Sequence, residues 1–104
     1  MRSIIPNDDK NMCHWCGAFF EKTHKHHIFG GANRRWSEKY GLYVHLCLRH
    51  HNASDEGIHF NKDMMDGYHR LGQFYFELNY ACDHSCGEEQ ARAEFMRIFG
   101  KNYL

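Results

Sequence analysis

The sequence predicts an α+β domain in which a short β-hairpin, pinned by metal ligands, is followed by a pair of helices. Three observations carry this. Cys13-His14-Trp15-Cys16 and Cys47-Leu48-Arg49-His50 are two half-sites of matching ligand type, with 30 residues between them. The segments just inside those half-sites, 24–29 and 42–47, are rich in β-forming or alternating residues. From residue 62 onward the apolar positions recur at helical spacing.

Taken in order, residues 1–11 are expected as a loose polar arm. Residues 12–17 form a Cys-x-x-Cys knuckle that ends in Gly17, a residue suited to a tight turn. A strand over 24–29 is broken by Gly30-Gly31. Trp36 to Tyr40 predicts a helical turn closed by Gly41. Leu42-Tyr43-Val44-His45-Leu46-Cys47 is the best strand in the chain, and a short helix starting near Arg49 carries His50 and His51. From Lys62 to Tyr80, the residues Met65, Tyr68, Leu71, Gly72, Tyr75 and Leu78 share one face. Ser85 and Glu88 fit a capping box for the last helix. The apolar face of that helix is Ala91, Phe95, Ile98 and Phe99, and Gly100 is its stop. This organises the chain as one domain, 1–104, with the arm (1–11), a metal-bearing core (12–61) and a helical pair (62–104).

Composition is ordinary for a globular protein, with 42% hydrophobic and 25% charged residues. No apolar run approaches a membrane span. The stretch Met1-Arg2-Ser3-Ile4-Ile5-Pro6 is too short and polar for a secretory signal, so a cytoplasmic setting is the expectation. In that setting, closely spaced cysteines argue for metal rather than disulfide. Ten histidines in 104 residues is a large excess, and metal ligation or proton transfer is the usual reason for one. Net charge is zero, but residues 1–50 hold eight Lys/Arg against four Asp/Glu, and residues 51–104 hold five against nine. A phosphate-binding surface therefore belongs on the N-terminal half. The overall balance argues against a tight non-specific DNA binder.

Cys13, Cys16, Cys47 and His50 are four ligands suited to tetrahedral zinc, and such a site contributes directly to folding a small core. Spacing alone leaves His51 open as the fourth ligand in place of His50. Cys82-Asp83-His84-Ser85-Cys86 offers three more potential ligands in five residues but has no second half, and reads as an inter-helix turn. His26 and His27 are neighbours in a strand, so their side chains point to opposite sides. One can face a metal while the other faces a substrate, with His51 and His59 completing the metal site. A divalent ion so held stabilises charge on a scissile phosphate. A free imidazole beside it deprotonates an attacking water at neutral pH. His24, in phase with His26, reads as an orienting residue, and His14, His45, His69 and His84 read as structural or surface residues. The loop Gly30-Gly31-Ala32-Asn33-Arg34-Arg35-Trp36-Ser37 is the candidate phosphate-facing element.

With these residues in place, the chain resembles the HNH (ββα-metal, His-Me finger) nucleases, and in particular small HNH-type proteins of bacteriophages and prophages. The resemblance lies in His26 to Leu42, in Gly57-Ile58-His59-Phe60-Asn61 and in the ending Phe95 to Leu104. Phage recombination-enhancement nucleases, which act with a RecA filament, are a more distant comparison. The resemblance implies a β-hairpin and helix around a divalent ion, with a zinc knuckle alongside. In members whose motif opens with a His pair, the first His ligates metal and the second is the general base. That implies those roles for His26 and His27, with His51 and His59 as further ligands. It implies DNA as substrate, contacted by Asn33, Arg34, Arg35 and Lys39, with RecA or another recombination protein as a partner. Structural Zn²⁺ and a catalytic Mg²⁺, Mn²⁺, Ni²⁺ or Zn²⁺ are the expected ions. One position departs from the family pattern: the central Asn that orients the base falls at Leu42. The alternative function is a non-catalytic zinc module that binds DNA or a recombination protein.

Overall fold

The computed structural model describes residues 2–52 and 56–104. Strands β1 (His24–His27) and β2 (Tyr43–Leu46) pair antiparallel, with His24 opposite Leu46 and His27 opposite Tyr43. Between them a 3-10 turn, Gly31–Asn33, leads into helix α1 (Arg34–Tyr40). Gly41 ends α1 at φ 70°, a conformation that costs glycine nothing. Helix α2 (Leu48–His51) follows β2 directly, and a second 3-10 turn, Ile58–Phe60, precedes the long helix α3 (Lys62–His84) and then α4 (Glu88–Phe99). The architecture is α+β, with helices packed over a small two-stranded sheet. Among the described residues no helix is long and apolar enough to cross a membrane.

Strand alternation sorts the sheet. Val44 and Leu46 of β2 and His26 of β1 turn inward and are buried, while Lys25 is exposed. Fully buried Ser37 fastens α1 to the exit of β1. Its Oγ accepts from Phe29 N (3.0 Å) and donates to Phe29 O (2.8 Å). Phe29 is in turn the hub of the core, its ring within 4.8–5.3 Å of the rings of Phe99, Tyr103 and Phe95.

Residues 2–11, expected as a loose arm, lie against the outer edge of β2. Ile5 is buried, Ile4 N donates to Gly41 O (2.8 Å), and Ser3 Oγ donates to Tyr43 O (2.5 Å). The Asp8 carboxylate accepts from both His45 N and His45 Nδ1, each at 2.7 Å. The physical reason is that a two-stranded ribbon leaves an edge of unpaired backbone groups, and this segment satisfies them.

Two features of the helical pair also differ from the sequence reading. The core face of α3 is Met64, Tyr68, Gly72, Gln73 and Phe76, and Leu78 is 47% exposed. Tyr68 and Gly72 lie on the buried face as expected, and Met65, Leu71 and Tyr75 pack partly buried against the core. At Gly72 an added Cβ would lie 2.9 Å from Ile28 Cγ2 and 3.0 Å from Phe29 Cε2, just past the end of β1. Ser85 makes no capping box either. It sits at φ 50° as the C-cap of α3, and extended Gly87 is the N-cap of α4 without a side-chain bond. The turn is too short for Ser85 to end one helix and cap the next. Ala91, Phe95 and Phe99 are buried and Ile98 partly so; Gly100 ends α4 at φ 82°.

Candidate metal centres and the cleft beside them

Two groups of side chains among the described residues can hold a metal ion: Cys13, Cys16, Cys47 with His50, and His26, His51 with His59, the ligand atoms of each group lying within 4.8 Å of one another. In the first group the knuckle is closed by Gly17 N donating to Cys13 O (2.7 Å), with Gly17 at φ 74°. Cys47 begins α2, and His50 reaches back so that its Nδ1 lies 3.3 Å from Cys47 Sγ and 3.9 Å from Cys13 Sγ. Tetrahedral zinc with ordinary Zn–S and Zn–N bonds has ligand–ligand edges of about 3.5–3.8 Å, so the donor set fits that ion. Burial works to raise the Cys13 thiol, but backbone N–H groups of Cys16, Cys47 and Trp15 together outweigh it and hold the thiol below its ordinary value. The helix also separates the two candidates for fourth ligand. Adjacent residues point about 100° apart on a helix, so His50 meets the cysteines and His51 turns toward β1.

In the second group, His51 Nε2 and His59 Nε2 are 3.2 Å apart. Edges of about 3.0–3.4 Å follow from metal–nitrogen bonds of about 2.0–2.1 Å, so three imidazoles here suit a divalent ion. Burial, reinforced by the neighbouring imidazoles, pushes His26 down to about 3 and His51 down to about 4. Both rings are therefore neutral at pH 7, with lone pairs available. His24 Nδ1 lies 3.0 Å from His51 Nδ1, which commits that edge of His51 to a hydrogen bond and leaves its Nε2 for a ligand.

His27, next along the strand, points to the opposite side of the sheet from His26. Its Nε2 is 2.6 Å from Glu38 Oε2, and Lys25 Nζ holds the other oxygen of that carboxylate at 3.1 Å. The bonds from His27 and then Lys25 keep Glu38 below the usual carboxylate range. Both His26 and His27 reach one cleft of about 590 Å³ that wraps the end of β1, floored by Gly30 and Gly31 and edged by Lys25 and Arg34. An adjoining recess adds Arg35 and Glu38.

Among the expected DNA-contacting residues, Arg34 lines both recesses and Arg35 lines the second, its guanidinium 4.5 Å from the Trp36 ring. Lys39 borders neither of these two and lies over Trp36 and Tyr40 instead. Asn33 reaches the cleft, but its Nδ2 donates to Phe99 O (3.1 Å), which commits the amide to the C-terminal turn of α4. Leu42 is fully buried and has no group to offer His27. Of the histidines set aside in the sequence, His14 bonds the Tyr68 hydroxyl (2.7 Å), His45 bonds Asp8 and His84 stacks on Tyr80. His69 differs: it borders the cleft, stacked against Phe29 and close to Tyr103. Glu38 is the residue sequence reasoning missed. Its only signal was an acidic side chain within a basic stretch, and hairpin pairing is what carries it to His27. Cys82, His84 and Cys86 join no such ligand group among the described residues.

Comparison of the chain with protein-family models, with curated proteins and with solved structures finds no match.

Proposed function

We propose that the protein is a metal-dependent DNA endonuclease of the HNH (ββα-metal) type, with β1, β2 and α2 as its metal-finger core. In this reading Cys13, Cys16, Cys47 and His50 hold a structural Zn²⁺, while His26, His51 and His59 hold a catalytic divalent ion and His27 is the general base. The observation that carries it is the opening of the three-histidine group and of His27 onto one glycine-floored, basic cleft. A ring of imidazole nitrogens favours Mn²⁺, Ni²⁺ or Zn²⁺ over Mg²⁺, which prefers oxygen ligands.

When bound, the ion supplies Lewis-acid stabilisation of the charge that builds on the phosphate and the departing oxygen. The remaining tasks fall to the chain. Arg34, with Lys25 and Arg35 beside it, attracts and seats the phosphodiester backbone, and Gly30 and Gly31 let that backbone approach closely. His27 takes the proton from the attacking water. DNA is the substrate, in the cytoplasm of a bacterial host of a phage or prophage, and a RecA filament is the candidate partner.

The test is nicking of supercoiled plasmid with Mg²⁺, Mn²⁺, Ni²⁺ or Zn²⁺, with and without RecA filaments, comparing wild type with His27→Ala. Nicking by wild type and its loss by at least about 100-fold in the variant is the expected result. A second reading, a non-catalytic zinc module that binds DNA or a recombination protein, is favoured by buried Leu42 at the family's Asn position. Plasmid left intact by wild type under every condition, with DNA still bound, decides for that second reading.

A further inference from the structure

We propose that Glu38 is the positioning residue for His27, doing from α1 the work for which Leu42 has no functional group. The inference rests on the reading of His27 as general base. Three observations place Glu38 in this role. First, its carboxylate takes the Nε2 edge of His27 in a short contact of 2.6 Å. A carboxylate can only accept, so Nε2 carries the hydrogen and the lone pair of the neutral ring lies on Nδ1. The base then has one acceptor nitrogen in one orientation.

Second, Glu38 is itself held. Lys25 and His27 sit two residues apart on the same face of β1, and the carboxylate bridges them, with Lys25 Nζ at 3.1 Å from Oε1 and 3.5 Å from Oε2. Third, the backbone carrying Glu38 cannot drift. Its neighbour Ser37 is fully buried and doubly bonded to Phe29, and the Glu38 carbonyl accepts from Gly41 N in the left-handed turn that ends α1. Gly41 is boxed in as well, since a Cβ there would meet Arg2 O at 2.7 Å.

Glu38 is 53% exposed at its side chain, and exposed ion pairs contribute little to stability. Its removal is therefore read at the His27 ring and in turnover, not in the melting temperature. Two experiments on the 104-residue chain test this. Long-range ¹H–¹⁵N correlation of the histidine rings should show a protected, hydrogen-bonded Nε2–H on His27 in wild type and in Glu38→Gln, and its loss in Glu38→Ala. In plasmid cleavage, Glu38→Ala should lower kcat about 10- to 100-fold with KM unchanged, and Glu38→Gln should recover part of it. A wild-type His27 without that Nε2–H, the same signal in Glu38→Ala, or a loss confined to KM overturns the assignment. An inactive wild type that retains the ring signal removes the nuclease reading while upholding the orientation of His27 by Glu38.

Discussion

The three-histidine group makes a quantitative demand on stability as pH falls. His26 has a folded-state value of about 3 and His51 of about 4, against 6.5 for an unconstrained ring. Below that ordinary value the unfolded chain takes up a proton on each ring, while the folded protein keeps both neutral until pH approaches 4. Both folded values are depressed, so the folded state binds fewer protons and stability falls with pH through this window. Each proton contributes about 1.4 kcal/mol per pH unit, so two give a loss of about 2.5 kcal/mol between roughly pH 5.5 and pH 4.5. For a domain of this size that is a fall in Tm of about 10–15 °C. The assay is thermal or urea unfolding in buffer without added divalent ions, because a bound ion competes with protons for the same lone pairs and steepens the fall. His26→Gln supplies the control. The depression of His51 comes from burial and from His59 and His24 rather than from His26, so it persists in the variant and the slope should fall by about 1.3 kcal/mol per pH unit. Equal slopes in wild type and His26→Gln, or a wild-type stability that does not change over this range, would refute the reasoning.

The remaining predictions separate the two ligand groups and test the packing. Cys47→Ser should remove one equivalent of zinc by elemental analysis and lower Tm sharply, because the cysteine group ties the knuckle to the start of α2; His59→Ala, on an exposed turn, should remove the second ion with little change in Tm. Gly72→Ala places a methyl within 2.9 Å of Ile28 and 3.0 Å of Phe29, both 2% exposed and unable to retreat. The clash outweighs the gain in helix propensity, and urea unfolding should show a net loss of about 1–2 kcal/mol.

What was legible in the sequence was local. Gly41 and Gly100 announce the ends of α1 and α4 because a left-handed residue is needed within one turn of each helix, and glycine supplies it wherever the helix packs. The ligand half-sites were legible for the same reason: a knuckle of four residues brings its own thiols together. The face of α3 bearing Tyr68 and Gly72 was visible too, but not its extent: packing buried Met64, Gln73 and Phe76 and left Leu78 exposed. The division of His50 from His51 needed the direction of α2 relative to β1, and the capping box failed because Ser85 was already engaged in ending α3. The placing of Glu38 against His27, of Asn33 against Phe99 and of Asp8 against His45 spans 11, 66 and 37 residues of chain. Such pairs are decided by how the hairpin, the edge-covering segment and the last helix meet. Short-range periodicity and spacing record which side chains share a turn or a strand face; they do not record which distant segments come to lie against one another, because that is settled by how the whole core packs.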